Sequence, residues 1–310
     1  MPFFSIVITT YNHESFIKDS ILSALSQKFD DFEVIVSNDR STDGTRQILN
    51  SLRHPRLKVF HQSKNLGRVD NYRKCLYEYV TGRWVVYCDG DDMFIDSYFL
   101  KDAFELISSS PNAVVLQAAK LKGKDLESST LFLHEFDDPI RILGFKDFLK
   151  NKKQLTFSHL NTIYNVKRAR EIDFYRKDIL SSDKESVYRL LPYGKLILIN
   201  KAYGLWRNHG NNAPLNANYK DRIENLEWAN SCFWWFLRKK GGPHNVIRWY
   251  FGVKFPNLKA YISDGTIIFL KRSDPTVLAY VIRYSAIQDL MFFLNPYFYL
   301  QVLRSIRHKW

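Results

Sequence analysis

Val85-Val86-Tyr87-Cys88-Asp89-Gly90-Asp91-Asp92 is an apolar run that ends in three carboxylates within four residues. On an extended chain, residues two apart point to the same side, so Asp89 and Asp91 share a face. Two carboxylates on one face at the end of a buried strand repel each other unless a cation lies between them. A hard divalent ion with oxygen ligands, Mg²⁺ or Mn²⁺, is the natural guest, and it keeps positions open for substrate phosphates. Read alone, the stretch is equally an acidic turn that closes a strand, because Asp and Gly are ordinary turn residues. What precedes it favours the functional reading.

Phe4–Thr10 reads as a buried strand, and Glu14–Gln27 follows with Phe16, Ile17, Ile21, Leu22 and Leu25 at helical spacing. Phe32–Val36, Leu57–Phe60 and Trp84–Cys88 are further strands. Helices over Thr42–Leu52, opened by the Ser41-Thr42-Asp43-Gly44 capping region, and over Val69–Tyr79 separate them. Such alternation predicts parallel pairing through right-handed crossovers, an α/β class. In such a sheet, ligands bind outside the carboxyl ends of the strands. Thr10-Tyr11-Asn12, Asn38-Asp39 and Asp89-Gly90-Asp91 therefore converge on one edge. Further on, the pattern predicts a helix near 96–108, a strand at 113–119 and a polar loop over 122–139. A helix near 146–151, a strand at 157–166, a helix at 183–191 capped by Ser182, and a strand at 195–199 follow.

Apolar residues make up 45% of the 310, enough for a substantial core. Cys75, Cys88 and Cys232 form no CxxC or Cys/His cluster, which suits reduced thiols. With no basic leader and no apolar run of the ~18–20 residues a span needs, the expected location is the cytoplasm. The net charge of +13 is uneven, +5 over residues 1–214 and +8 over 215–310. The tail is also aromatic, with Trp228, Phe233, Trp234, Trp235 and Phe236 in a helical stretch over 222–238. Gly241-Gly242-Pro243 breaks it, a short amphipathic piece spans 246–251, and apolar, basic residues fill 276–307. Two readings stand side by side: a helical subdomain or homodimer face, and a peripheral surface on the inner face of the membrane. No recognised motif supports nucleic-acid binding.

Four motifs in series resemble the family 2 inverting glycosyltransferases of the GT-A fold. They are Ser5-Ile6-Val7-Ile8-Thr9-Thr10-Tyr11-Asn12, Val36 to Thr45, Asn65-Leu66-Gly67, and Cys88-Asp89-Gly90-Asp91-Asp92. Ser182-Asp183, Tyr193-Gly194-Lys195 and Trp206-Arg207-Asn208-His209 look like the acceptor half of bacterial members. The resemblance covers roughly residues 4–212. It implies a GT-A domain over 1–212, with a nucleotide-sugar half at 1–110 and an acceptor half at 111–212. Residues 213–310 would be a helical C-terminal region.

The resemblance also implies roles. Thr10, Tyr11, Asn12, Asp39, Arg68, Asp89 and Gly90 would hold a UDP-sugar, with Tyr11 stacking on uracil and Asp39 accepting from its N3–H. Asn38 and Arg40 depart from the more usual Asp and Gly around that carboxylate. Lys64 stands beside Arg68 as a second candidate for the diphosphate. Asp91 and His209 would bind Mn²⁺ or Mg²⁺, and Asp92 would orient the loop or touch the sugar. Asp183 is the expected general base, with Glu185 as fallback. The acceptor would be a glycan of capsule, O-antigen or similar surface polysaccharide, with a polyprenyl-diphosphate-linked form left open. A non-catalytic nucleotide-sugar-binding subunit and a nucleotidyltransferase are the competing readings. The latter fits poorly, because the first strand leads into Thr-Thr-Tyr-Asn rather than a Gly-rich phosphate loop.

Overall fold

A computed structural model describes residues 1–151, 157–210, 212, 221, 224, 225 and 227–239. The chain divides into two compact units, one of residues 1–178 with 182–212, the other of 179–181 with 213–310.

The first unit is built on one sheet. Strands β1 (Phe4–Thr10), β2 (Phe32–Asn38), β3 (Leu57–His61) and β4 (Trp84–Asp89) pair in parallel in the order β3-β2-β1-β4. Helices α1 (Ile17–Leu25), α2 (Thr45–Ser51) and α3 (Arg68–Lys74) make the crossovers, and a π-helical turn (Cys75–Tyr79) extends α3. Every residue of β1 and β2 is buried. Phe4, Ile6, Ile8, Val34, Val36, Val86 and Cys88 share a cluster with Ile17, Ile21 and Ala24 of α1. The other parity, Val7, Ile35, Val85 and Tyr87, is also buried.

Apolar residues on both faces leave register weakly specified, since a one-residue slip still meets apolar neighbours. A buried polar network supplies the missing specificity. The Ser5 hydroxyl donates to Glu33 Oε1 (2.7 Å), Thr81 donates to the same oxygen through N–H and O–H, and Lys58 pairs with Oε2 at 2.7 Å. Burial works to raise the Glu33 pKa, but Lys58, Ser5 and Thr81 together hold it below the ordinary value.

Beyond β4 the sheet becomes mixed. It continues β4-β9-β6-β10-β5, where β5 is Met93–Phe94, β6 Ala113–Gly123, β9 Thr162–Asn165 and β10 Lys195–Arg207. Strand β9 runs antiparallel to both neighbours, whereas β6 and β10 are parallel. Short β7 (Thr130–Phe132) pairs with β6 and β8 (Ile140–Leu143) with β10. Helices α4 (Phe99–Ser108), α5 (Phe145–Asn151), α6 (Val166–Glu171) and α7 (Ser182–Leu190) complete this unit. The fold is thus α/β with a mainly parallel sheet flanked by helices.

Three expectations need correction here. The strand expected at 157–166 is confined to Thr162–Asn165, because Asn161 takes a left-handed φ of 64° and Asn165 caps α6 by accepting from Arg168 N. The strand at 195–199 runs on to Arg207, carrying its end to the functional edge. The polar 122–139 segment includes β7, paired to β6.

In the second unit, α8 (Glu227–Lys239) falls on the helical stretch expected at 222–238 and ends one residue beyond it. Trp228, Cys232, Phe233 and Phe236 are buried. The amphipathic stretches expected at 246–251 and 276–307 lie outside the described residues. Among the described residues no helix is long and apolar enough to cross a membrane.

Candidate active site

The first two loops are stitched together at the carboxyl ends of β1 and β2. Asn12 N donates to Ser41 Oγ, and Asn12 Oδ1 accepts from Thr42 N at 2.8 Å. Asn12 and Arg40 both sit in the left-handed region, φ 58° and 61°. At Arg40 this explains why Gly is the more usual residue, since a Cβ there costs about 1–2 kcal/mol. Asp39 N donates to Thr10 O, locking the two strand ends. Tyr11 is 45% exposed on this edge, with its ring available for stacking. Among the described residues the buried Thr10 hydroxyl has no hydrogen-bond partner.

Asp39 is buried, and its two oxygens accept from Leu66 N (2.7 Å) and Gly67 N (2.9 Å). Burial raises its pKa despite those two bonds. Each oxygen keeps a second lone pair for a ligand. Gly67, at φ 84°, makes the turn that aims both amides at the carboxylate. Arg68 then opens α3, its guanidinium 5.7 Å from the Tyr72 ring. Burial opposes its charge, but Tyr72, Asp183 and Asp89 outweigh that and hold it more firmly protonated. Lys64 is exposed.

Asp89 ends β4. Its Oδ1 accepts from Tyr72 Oη (2.7 Å) and Thr9 Oγ1 (3.1 Å), while Oδ2 accepts no hydrogen bond among the described residues. Gly90 must be glycine for space: a Cβ would lie 2.8 Å from both Thr10 Oγ1 and His13 Nδ1. Asp91 Oδ2 lies 2.9 Å from His209 Nε2, and Asn212 Nδ2 reaches the same oxygen at 3.3 Å. Asp92 is buried and accepts from Arg207 N at 3.0 Å, which fastens the end of β10 to the acidic loop. Burial first, then Asp91 and Asp89, push its pKa well above the ordinary carboxylate value.

Asp91 and His209, far apart in sequence, thus meet as a carboxylate and an imidazole. Two donor atoms 2.9 Å apart suit neighbouring positions around a cation with bonds of ~2.1 Å. The crowding of Asp91 and Asp89 against Asp92, which helps raise its pKa, is a repulsion that a cation nearby would relieve. Among the described residues no group of three His, Cys, Asp or Glu side chains forms a metal cluster. Asp91 and His209 would supply two ligands to such an ion, and a bound diphosphate or water would have to supply the rest.

Asp183 is half-buried in the first turn of α7 and lines a small cavity with His159, Thr162, Tyr164 and Phe174. Its carboxylate forms no ion pair among the described residues, and the helix N-terminus favours its charge. Glu185 is corrected as a fallback base. It is fully buried and bonded to Arg189 (2.7 Å) and Arg176 (3.3 Å), so it has neither access nor freedom to take a proton. Arg189 also donates to Asp173 O (2.9 Å) and Ile172 O, holding a loop in which Asp173 and Tyr175 are both left-handed.

Tyr72, His159 and Asn212 were not singled out from the sequence. His159 is reached through Tyr175 Oη (2.6 Å), and its Nδ1 lies 4.0 Å from Asp89 Oδ1. Burial lowers its pKa and keeps the ring neutral. No local pattern marks these three residues. Tyr72 and Asn212 matter through contacts with Asp89 and Asp91, which only the fold provides.

The model of "Glycosyl transferase family 2" matches residues 5–172, more than half of the chain. The chain belongs to glycosyl transferase family 2. It is 28% identical over 207 residues to the poly(ribitol-phosphate) beta-N-acetylglucosaminyltransferase TarS of Staphylococcus aureus, covering 64% of this chain and 35% of that protein. It is 31% identical over 258 residues to an uncharacterized glycosyltransferase of Haemophilus influenzae, covering 79% of this chain and 78% of that one. The chain spans between about a third and just over half the length of the first curated relatives it matches. The crystal structure of S. aureus TarS 1-349 in complex with UDP-GlcNAc shares the fold, with TM-score 0.70 and 21% identity over 90% of this chain and 78% of that chain. So does the mannosyltransferase PcManGT from Pyrobaculum calidifontis in complex with GDP-Man and Mn²⁺, with TM-score 0.58 and 15% identity over 98% and 84%. The likeness to these structures shows the GT-A fold.

Proposed function

We propose that this family 2 chain transfers a sugar, with inversion and with a divalent cation, from a UDP-sugar to a glycan acceptor in bacterial surface-polysaccharide assembly. Residues 1–110 would hold the donor and 111–212 the acceptor. The observation that carries the reading is the placement of an unpaired Asp183 carboxylate near Arg68 and Asp89, with Asp91 and His209 paired on the same edge.

In this reading Tyr11 stacks on the base, Asp39 accepts from uracil, and Asp89 Oδ2 takes a ribose hydroxyl. Arg68 faces the diphosphate. Mn²⁺ or Mg²⁺ held by Asp91 and His209 would neutralise charge on the departing nucleoside diphosphate. Asp183 takes the proton from the acceptor hydroxyl as its oxygen attacks the anomeric carbon opposite the leaving phosphate. Neutral His159 and Tyr72 fix the Asp89 side of the cleft. UDP-GlcNAc, the ligand in the TarS complex, supports a UDP-sugar as donor. The basic tail over 215–310 would suit a lipid-linked acceptor at the inner membrane face or a second copy of the chain.

The test is a thermal-shift and hydrolysis screen of UDP-, GDP-, dTDP- and CMP-sugars, each with Mn²⁺, Mg²⁺ or EDTA. A shift with a UDP-sugar that EDTA abolishes is expected. A shift that persists in EDTA would refute the metal site, and a response only to another nucleotide would refute the donor. Binding without any transfer to acceptor glycans would favour the non-catalytic subunit.

A further inference from the structure

Strand β6 places Lys120 and Lys122 two residues apart, on one face of the sheet. Trp206 of β10 is the register partner of Lys122. Both ammonium groups converge on its indole, Lys122 Nζ at 4.6 Å and Lys120 Nζ at 5.7 Å from the ring centroid. All three residues are half-buried. Among the described residues neither lysine forms an ion pair. Burial lowers the Lys120 pKa, Asp92 and Asp183 oppose that, and Lys122 adds to it. Lys120 is therefore near both the acidic loop and the proposed base.

Two like charges gathered on one indole, partly out of water, are under the same tension as the carboxylates at the end of β4. The ring face offsets part of it, but it carries no net charge. Asp92 and Asp183 offset a further part at Lys120, and an anion beside both lysines would resolve the rest. The lysines lie in residues 111–212, whereas the proposed donor contacts Tyr11, Asp39, Arg68 and Asp89 lie on β1–β4 and their loops. Any acceptor hydroxyl must reach Asp183, and a group on that same acceptor then lies within reach of Lys120.

We propose that the acceptor is anionic: a phosphate or carboxylate on the glycan docks at Lys120 and Lys122 beside Trp206 while the reacting hydroxyl meets Asp183. This rests on the glycosyl-transfer reading above and adds the acceptor's chemical class to it.

The test is calorimetric titration of the full chain, saturated with UDP and Mn²⁺, with glucose, glucose 6-phosphate and glucuronate. At least one charged sugar should bind about tenfold more tightly than glucose, as a charge-assisted hydrogen bond allows. Which of the two prevails separates a phosphate from a carboxylate source. In Lys122→Gln the preference should collapse while UDP affinity and melting temperature stay unchanged. The proposal is overturned if charged and neutral sugars behave alike, whether all bind or none. It is also overturned if the preference survives in Lys122→Gln, or if that variant weakens UDP, which would place the lysines on the donor. Failure of the unaltered chain to bind UDP would be a different result, sinking the donor site itself.

Discussion

Residues 1–110 and 111–212 share one sheet but treat their carboxylates in opposite ways. In the first region Asp89 and Asp91 end up at the open edge, partly bonded to Tyr72, Thr9 and His209 and with lone pairs left over. In the second region Glu185 is fully buried and held by two arginines, and Asp183, two residues earlier, has no ion pair among the described residues. A parallel sheet concentrates its polar groups at strand ends, where a cation can gather them. A mixed sheet with short helices has no such common edge, so its ionic groups brace loops and one carboxylate is left for chemistry.

The largest expected effect tests that division. Asp183→Asn should lower transfer by about 10²–10⁴-fold, the usual contribution of a general base, with UDP affinity unchanged. Transfer at the wild-type rate would move the base elsewhere. Arg189→Met takes from buried Glu185 its shorter arginine contact and frees the Asp173–Tyr175 loop, so a denaturation midpoint should report a loss of about 3–5 kcal/mol. By contrast Lys58→Met, at the partly exposed Lys58–Glu33 pair, should lose only about 1 kcal/mol. Equal losses would erase the contrast between the regions.

Acid should attack the two regions in separate windows. Burial lowers the His134 pKa to about 4. Its folded value is below the unfolded one, so the unfolded chain binds more protons in between. Stability from His134 is present above about 6.5 and lost as pH falls towards 4, by up to about 3 kcal/mol. Glu33 is also depressed in the folded state, so its contribution fades only below its ordinary value. His134→Gln should flatten the upper window in a melt-versus-pH series and leave the lower one. Gly90→Ala forces a Cβ against Thr10 and His13, which should cost about 1–3 kcal/mol of stability and weaken UDP. Smallest of all, Arg40→Gly relieves a left-handed residue but gives up the Arg40–Ser63 hydrogen bond, for a net change within about 1 kcal/mol in the same melt.

The first region was legible because its order is local. Continuous apolar strands, helical spacing and turn residues each lie within a dozen positions, and topology alone brings Thr10, Asp39 and Asp89 to one edge. The other region was less so. Asn161 breaks a strand through its own backbone conformation, and β10 runs past Ile199 because β6 pairs with it along its length. Glu185 looked as suitable as Asp183 until its arginine partners were known. Tyr72, His159 and Asn212 carry no signal of their own, since each matters through a contact far along the chain.

Everything in the proposed reaction depends on a metal–diphosphate site at the edge of β4. Calorimetric titration of UDP into the unaltered chain and into Asp91→Asn, with Mn²⁺ and again with EDTA, addresses it most directly. Binding by the unaltered chain with Mn²⁺ is expected, lost in EDTA and lost in Asp91→Asn under both conditions. Equal UDP affinity in all four titrations would contradict it.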